Sequence, residues 1–161
     1  VLMTLAPAEV GRALEESARA IAIELARGFK LAGTLAIELF VTNDGGVLVN
    51  ELAPRPHNSG HYTIEACSSD QFDTHIRGIA GWPLEQPRLL SPAVMVNVLG
   101  QHVAPTRAAR ASHPEWHMHD YGKAQVKHNR KMGHITVLTD DPARTAADLE
   151  ATGCWSGESD Q

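Results

Sequence analysis

Glu38 and Glu51 stand in two runs of β-branched and aliphatic residues, Thr34–Thr42 and Val47–Leu52, that are separated by "NDGG". Such runs around Asp-Gly predict a β-hairpin. If Asp44-Gly45 is the turn, Asn43 faces Gly46 and the numbers of every opposed pair sum to 89, which sets Glu38 against Glu51. The register is the same if all four residues form the loop. Opposed Cβ atoms lie roughly 4.5 to 5.5 Å apart on one face, where like charges repel. Two carboxylates so placed favour a shared proton or a bound cation. Oxygen ligation suits a hard ion such as Mg²⁺, which keeps waters and substrate phosphates in its other positions. That chemistry points to a phosphate-bearing nucleotide. A solvated strand face shared with Thr42 satisfies the same spacing, while Phe40 and Val49, expected on that face, favour partial cover.

Directly after the hairpin, "PRPHNSGH" gathers Arg55, His57, Asn58, Ser59 and His61 into one loop with little to bury. A planar guanidinium can grip a carboxylate or phosphate, and the imidazole, amide and hydroxyl can supply directional hydrogen bonds to a small substrate. An ordinary polar loop is the alternative. Its place at a strand end, where sites commonly sit, favours a functional reading.

The elements that must hold these residues follow from periodicity. Val10, Leu14, Ala18, Ile21 and Leu25 recur every three or four positions, predicting an amphipathic helix from Pro7 to Phe29, with Pro7 in its first turn and Gly28 at its end. Ser68 and Ser69 can cap a second helix that carries Phe72, Ile76 and Ile79 on one face and stops near Gly81 and Pro83. "QPRLLSP" reads as a linker. Beyond it Ala93–Leu99 and His134–Thr139 are predicted strands and Pro142–Thr152 a terminal helix. The expected organisation is therefore α+β, with a first domain over 1–90 and a small β-rich domain over 91–161. Trp82, Trp116, Trp155, Met95 and Met132 are expected to be packing residues.

With 161 residues, 43% of them apolar, the chain can build one globular domain or one and part of another. A net charge of −5 argues against sequence-independent nucleic-acid binding, which needs a basic face. Cys67 and Cys154 are too few and too distant for a disulfide framework, so a reducing compartment, by default the cytoplasm, is expected. No apolar run approaches the roughly 20 residues that span a bilayer, and no signal-peptide pattern opens the chain, so no membrane association is expected. The start at Val1 without an initiator Met is compatible with a fragment or a processed product.

The stretch "ELFVTNDGGVLVNELAPRPHNSGHYTIEACSSDQFDTHIRGIAGWPL" resembles the carboxy-terminal part of the ATP-grasp domain in the 5-(carboxyamino)imidazole ribonucleotide synthetase family, the ATPase subunit of phosphoribosylaminoimidazole carboxylase. "YGKAQVKHNRKMGHITV" is similar to that family's small C-terminal domain, so nearly the whole chain is covered. The resemblance implies ATP-dependent carboxylation of 5-aminoimidazole ribonucleotide by bicarbonate, through carboxyphosphate, in de novo purine synthesis. It implies that Glu38 and Glu51 hold Mg²⁺ against the ATP phosphates. Arg55, His57, Asn58 and Ser59 would line the bicarbonate and aminoimidazole site, the first three as catalytic residues, and Lys123 and Arg130 would hold the ribonucleotide phosphate. It allows a homodimer. Such chemistry works by metal and guanidinium charge and by positioning, which leaves Cys67 as a helix-start packing residue rather than a nucleophile.

Two positions depart from the pattern. Ala53 stands where many ATP-grasp enzymes place an asparagine ligand, and Lys127-His128 replaces an expected Arg-Pro pair. The amino-terminal domain and the ATP-grasp half with its lysines and adenine pocket would lie upstream of Val1. The piece alone is therefore expected to bind ATP poorly and not to turn over. A formate-dependent glycinamide ribonucleotide transformylase, another ATP-grasp enzyme with a similar "PRPH" loop, is the rival enzyme. A noncatalytic zinc module built on His113, His117 and His119 is the rival of another class.

Overall fold

The computed structural model describes residues 2–156. In chain order the elements are β1 (Met3–Ala6), α1 (Arg12–Gly28), β2 (Ala36–Val41), β3 (Val47–Ala53), α2 (Thr63–Ala66), α3 (Gln71–Ala80), β4 (Ala93–Leu99), α4 (Val103–Ala109), β5 (His117–Asp120), β6 (Lys131–Leu138) and α5 (Pro142–Ala151). The α+β chain divides into two compact units, one built from 8–64 and 68–88, the other from 2–7, 65–67 and 89–156. The chain passes into the second unit for the last time at Leu89, and that unit also takes in the first strand.

In the first unit α1 starts at Arg12, not near Pro7, with Gly11 as an extended N-cap residue. The preceding residues Met3–Ala6 are drawn into sheet pairing with β4, and Gly11, a poor helix former, suits the cap rather than the interior. The helix lies over one face of the β2–β3 hairpin, where Val10, Leu14, Ala18, Ile37, Leu39 and Val41 line an apolar groove of about 540 Å³. Alternation along β2 places Glu38 on the opposite face. Helix α3 is capped by Asp70, whose Oδ1 accepts from the Phe72 and Asp73 N–H groups at 2.7 and 2.9 Å; the serines expected there stand one turn residue too early. Gly81, left-handed at φ 67°, ends it as expected. The Phe72, Ile76 and Ile79 face is exposed, and so is Trp82, which therefore does not pack as expected.

The second unit is a four-stranded antiparallel sheet in the order β1-β4-β6-β5. Val94, Val96 and Val98 alternate along β4 and lie on one face with Ile135 and Val137 of β6, under Trp116, Leu149, Cys154 and Trp155. Burying each aliphatic side chain contributes about 1.5–3 kcal/mol, so this layer is the main source of stability for the unit. Met95, Asn97, His134 and Thr136 on the other face are buried as well. Strands β1 and β5 and helix α4 were not predicted: β1 is four residues, β5 reads His-Met-His-Asp, and α4 contains Pro105.

Candidate functional site

Across β2 and β3, Ala36 faces Ala53, Ile37 faces Leu52 and Glu38 faces Glu51. The opposition expected from sequence is present, reached by a different route. The loop is Asn43-Asp44-Gly45, closed by Thr42 N–H donating to Gly46 O and Gly45 N–H donating to Thr42 O, both at 2.9 Å. Gly45 is left-handed at φ 85°, as a three-residue hairpin loop requires. This loop sets Phe40 opposite Leu48, not Val49, and Leu39 opposite Val49. Asn50 is then the extra residue of a β-bulge that restores the register at the glutamates.

The bulge also gives Glu38 a partner. Asn50 Nδ2 donates to Glu38 Oε2 at 3.2 Å, and His57 Nε2 lies 3.8 Å from Glu38 Oε1. Glu51 is exposed, and among the described residues no lysine or arginine pairs with either glutamate. Two facing carboxylates without a cationic side chain are what a divalent ion would neutralise. Two protein oxygens plus waters and phosphates suit Mg²⁺, so the donor set fits the ion.

The loop after the hairpin is held by a residue that sequence reading missed. Buried Gln71, the first residue of α3, accepts from His57 N–H and donates to His57 O, both at 2.8 Å, and its Nε2 lies 2.8 Å from His61 Nδ1. Gly60 packs against it: a Cβ there would lie 2.6 Å from Gln71 Oε1, so a larger residue would displace the glutamine side chain. His57 in turn caps the short 3-10 turn Asn58–Gly60, with Nδ1 at 2.9 Å from Ser59 Oγ. Structure thus brings His57 and Ser59 together and aims His57 at Glu38. Arg55 is exposed, with Nη1 donating to Pro56 O at 3.1 Å, while Asn58 O accepts from His61 N–H at 3.1 Å.

Lys123 and Arg130 lie in the other unit, at the two ends of a loop between β5 and β6. Lys123 Nζ donates to Lys131 O at 2.6 Å and stands 5.4 Å from the centre of the Tyr121 ring. Arg130 Nη1 donates to Gln125 O at 3.0 Å. Among the described residues neither cation has an acidic partner.

Family comparison agrees over both stretches. The ATP-grasp domain model matches residues 1–72 and the phosphoribosylaminoimidazole carboxylase C-terminal domain model matches 93–148. The N5-carboxyaminoimidazole ribonucleotide synthase of Staphylococcus saprophyticus is 48% identical over 147 residues, which is 91% of this chain and 39% of that protein. Its Bacillus subtilis counterpart is 45% identical over 138 residues, 86% and 36% of the two chains. Over most of its length the chain matches the N5-carboxyaminoimidazole ribonucleotide synthase family.

Solved structures of the synthase family show the same fold. The Staphylococcus aureus synthetase complexed with ADP superimposes with a TM-score of 0.89 at 42% identity, covering 95% of this chain and 42% of that one. The Aspergillus clavatus enzyme in complex with ADP and 5-aminoimidazole ribonucleotide gives 0.85 at 33%, covering 94% and 42%. The chain spans about two fifths of the length of the synthases it matches.

Within the chain the three histidines of the zinc reading do not converge. His113 stacks on Trp116 and its Nδ1 meets Glu115 Oε1 at 2.8 Å; His119 Nε2 meets Glu65 Oε1 at 2.6 Å and stacks on His134; His117 is exposed. Among the described residues no three His, Cys, Asp or Glu side chains are grouped to hold a metal ion. Cys67, at the end of α2 rather than a helix start, has its thiol pushed up by burial, the opposite of what a nucleophile needs.

Proposed function

We propose that this chain supplies the metal-binding and ribonucleotide-phosphate residues of a synthase that uses ATP and bicarbonate to carboxylate 5-aminoimidazole ribonucleotide in de novo purine biosynthesis. The supporting observation is Glu38 facing Glu51, with Asn50 and His57 beside Glu38 and, among the described residues, no lysine or arginine paired with either glutamate. When bound there, Mg²⁺ supplies charge that draws ATP phosphates to the pair. Asn50 holds one oxygen of Glu38, which leaves the remaining lone pairs directed for ligation.

A bicarbonate oxygen attacks the γ-phosphorus of ATP, ADP leaves, and carboxyphosphate results. The exocyclic amine of the ribonucleotide then bonds to the carboxyl carbon, phosphate departs, and the amine loses a proton. Several anionic oxygens meet in this sequence, so stabilising charge and positioning must do most of the acceleration. Arg55 supplies a planar cation, His57, Asn58 and Ser59 supply hydrogen-bonding groups for bicarbonate and the aminoimidazole, and Lys123 and Arg130 receive the ribonucleotide phosphate. The free thiols Cys67 and Cys154 suit the cytoplasm.

Joined to the remaining portion of the Staphylococcus aureus enzyme in place of its matching part, the chain should support ADP formation that requires both bicarbonate and 5-aminoimidazole ribonucleotide. Alone it should release no ADP above background. Turnover of the joined protein with formate and glycinamide ribonucleotide instead would establish the rival enzyme.

A further inference from the structure

The loop 124–129 that separates Lys123 from Arg130 is exposed and contains no helix or strand, so its own residues do little to fix its shape. Its shape is set from outside, at the end of buried strand β4. Gln101, in the 3-10 turn Gly100–His102, makes a reciprocal pair with Asn129: Gln101 Nε2 donates to Asn129 Oδ1 and Asn129 N–H donates to Gln101 Oε1, each at 2.9 Å. Beside it Gly100 admits the Lys127 carbonyl so closely that a Cβ would collide with it. That same carbonyl accepts the Arg130 N–H at 3.1 Å. Asn129 is held left-handed at φ 60°, a conformation that asparagine tolerates better than most residues. The backbone therefore turns at a defined point one residue before Arg130, and Arg130 Nη1 closes back on Gln125 O.

We infer that Gln101 is a positioning residue for the phosphate monoester of the substrate, acting through Asn129 on Arg130. This rests on the reading that Lys123 and Arg130 hold the ribonucleotide phosphate. A guanidinium recognises phosphate through fixed fork geometry, so a loop free to slide would lose contacts even with both cations present. Gln101 supplies the missing constraint from a rigid strand end.

The test titrates 5-aminoimidazole ribonucleotide into the isotopically labelled chain, followed by NMR, with thermal unfolding as a fold control. Gln101→Ala is expected to remove exchange protection from the Asn129 amide and to weaken binding roughly three- to tenfold, the range for one lost hydrogen-bonding partner. In an Arg130→Ala background the same substitution should add less than twofold, because both act on one contact. Asn129→Gly keeps the left-handed backbone and the amide bond to Gln101 Oε1, so its loss should be smaller than that of Gln101→Ala. Wild-type affinity in Gln101→Ala, or an equal loss with and without Arg130, overturns the inference while leaving the phosphate assignment intact. Wild-type affinity in Arg130→Ala, or no binding by the chain at all, overturns the phosphate assignment and the inference together.

Discussion

Gln71 holds three groups of one polar loop, the His57 N–H, the His57 carbonyl and the His61 ring, from a buried position at the start of α3. Replacing it with leucine keeps the volume and strands both backbone groups of His57, each of which must then find water or stay unsatisfied. Gln71→Leu is expected to cost about 1–3 kcal/mol in denaturant unfolding and to release the His57 ring from its place beside Glu38. Unchanged stability together with an unchanged His57 ring resonance would remove Gln71 from the account. The two glutamates and the polar loop were legible in the sequence because hairpin pairing is a matter of counting and because polar types concentrated between prolines stand out. Gln71 was not, since a glutamine 14 residues from His57 carries no sign of inward direction until the loop folds back on it.

At the scale of elements, the hairpin shows two shifts that cancel. A three-residue loop moves the tip by one position relative to the two- or four-residue loop expected, and the Asn50 bulge moves it back before Glu38. The glutamate pairing was therefore predicted correctly, whereas the pairing of Phe40 was not. Helix α3 was placed by its apolar spacing, but its cap went to Asp70 because a carboxylate there reaches two N–H groups at once. Short β5 could not be recognised from its own residues, since only pairing with β6 makes it a strand. Helix α3 also meets the loop before β2, where Thr34 N–H donates to His75 Nδ1, and the backbones come closest at glycine: a Cβ on Gly78 would lie 2.7 Å from the Gly33 backbone nitrogen. Gly78→Ala is expected to destabilise the chain by about 1–3 kcal/mol, despite alanine being the better helix former, because one backbone segment must move from the other. A gain in thermal stability would show that this approach is not tight in solution.

For the molecule as a whole, the two units differ in how completely they bury themselves. The four-stranded unit has β4 buried along almost its whole length, whereas α1 has no buried residue and the other sheet has two strands only. A two-stranded sheet is marginal by itself, so low affinity for ATP is the expected behaviour of this chain alone. The divalent-ion site needs less, because both of its carboxylates come from one hairpin. Mn²⁺ prefers the same oxygen ligands as Mg²⁺ and broadens nearby resonances. Titrated into the labelled chain, it should broaden the amides of 37–39 and 50–52 and the His57 ring first, and Glu51→Gln should abolish that selectivity. Broadening elsewhere with the hairpin untouched, or a pattern that survives replacement of both glutamates by glutamine, would contradict the assignment of Glu38 and Glu51 to the metal.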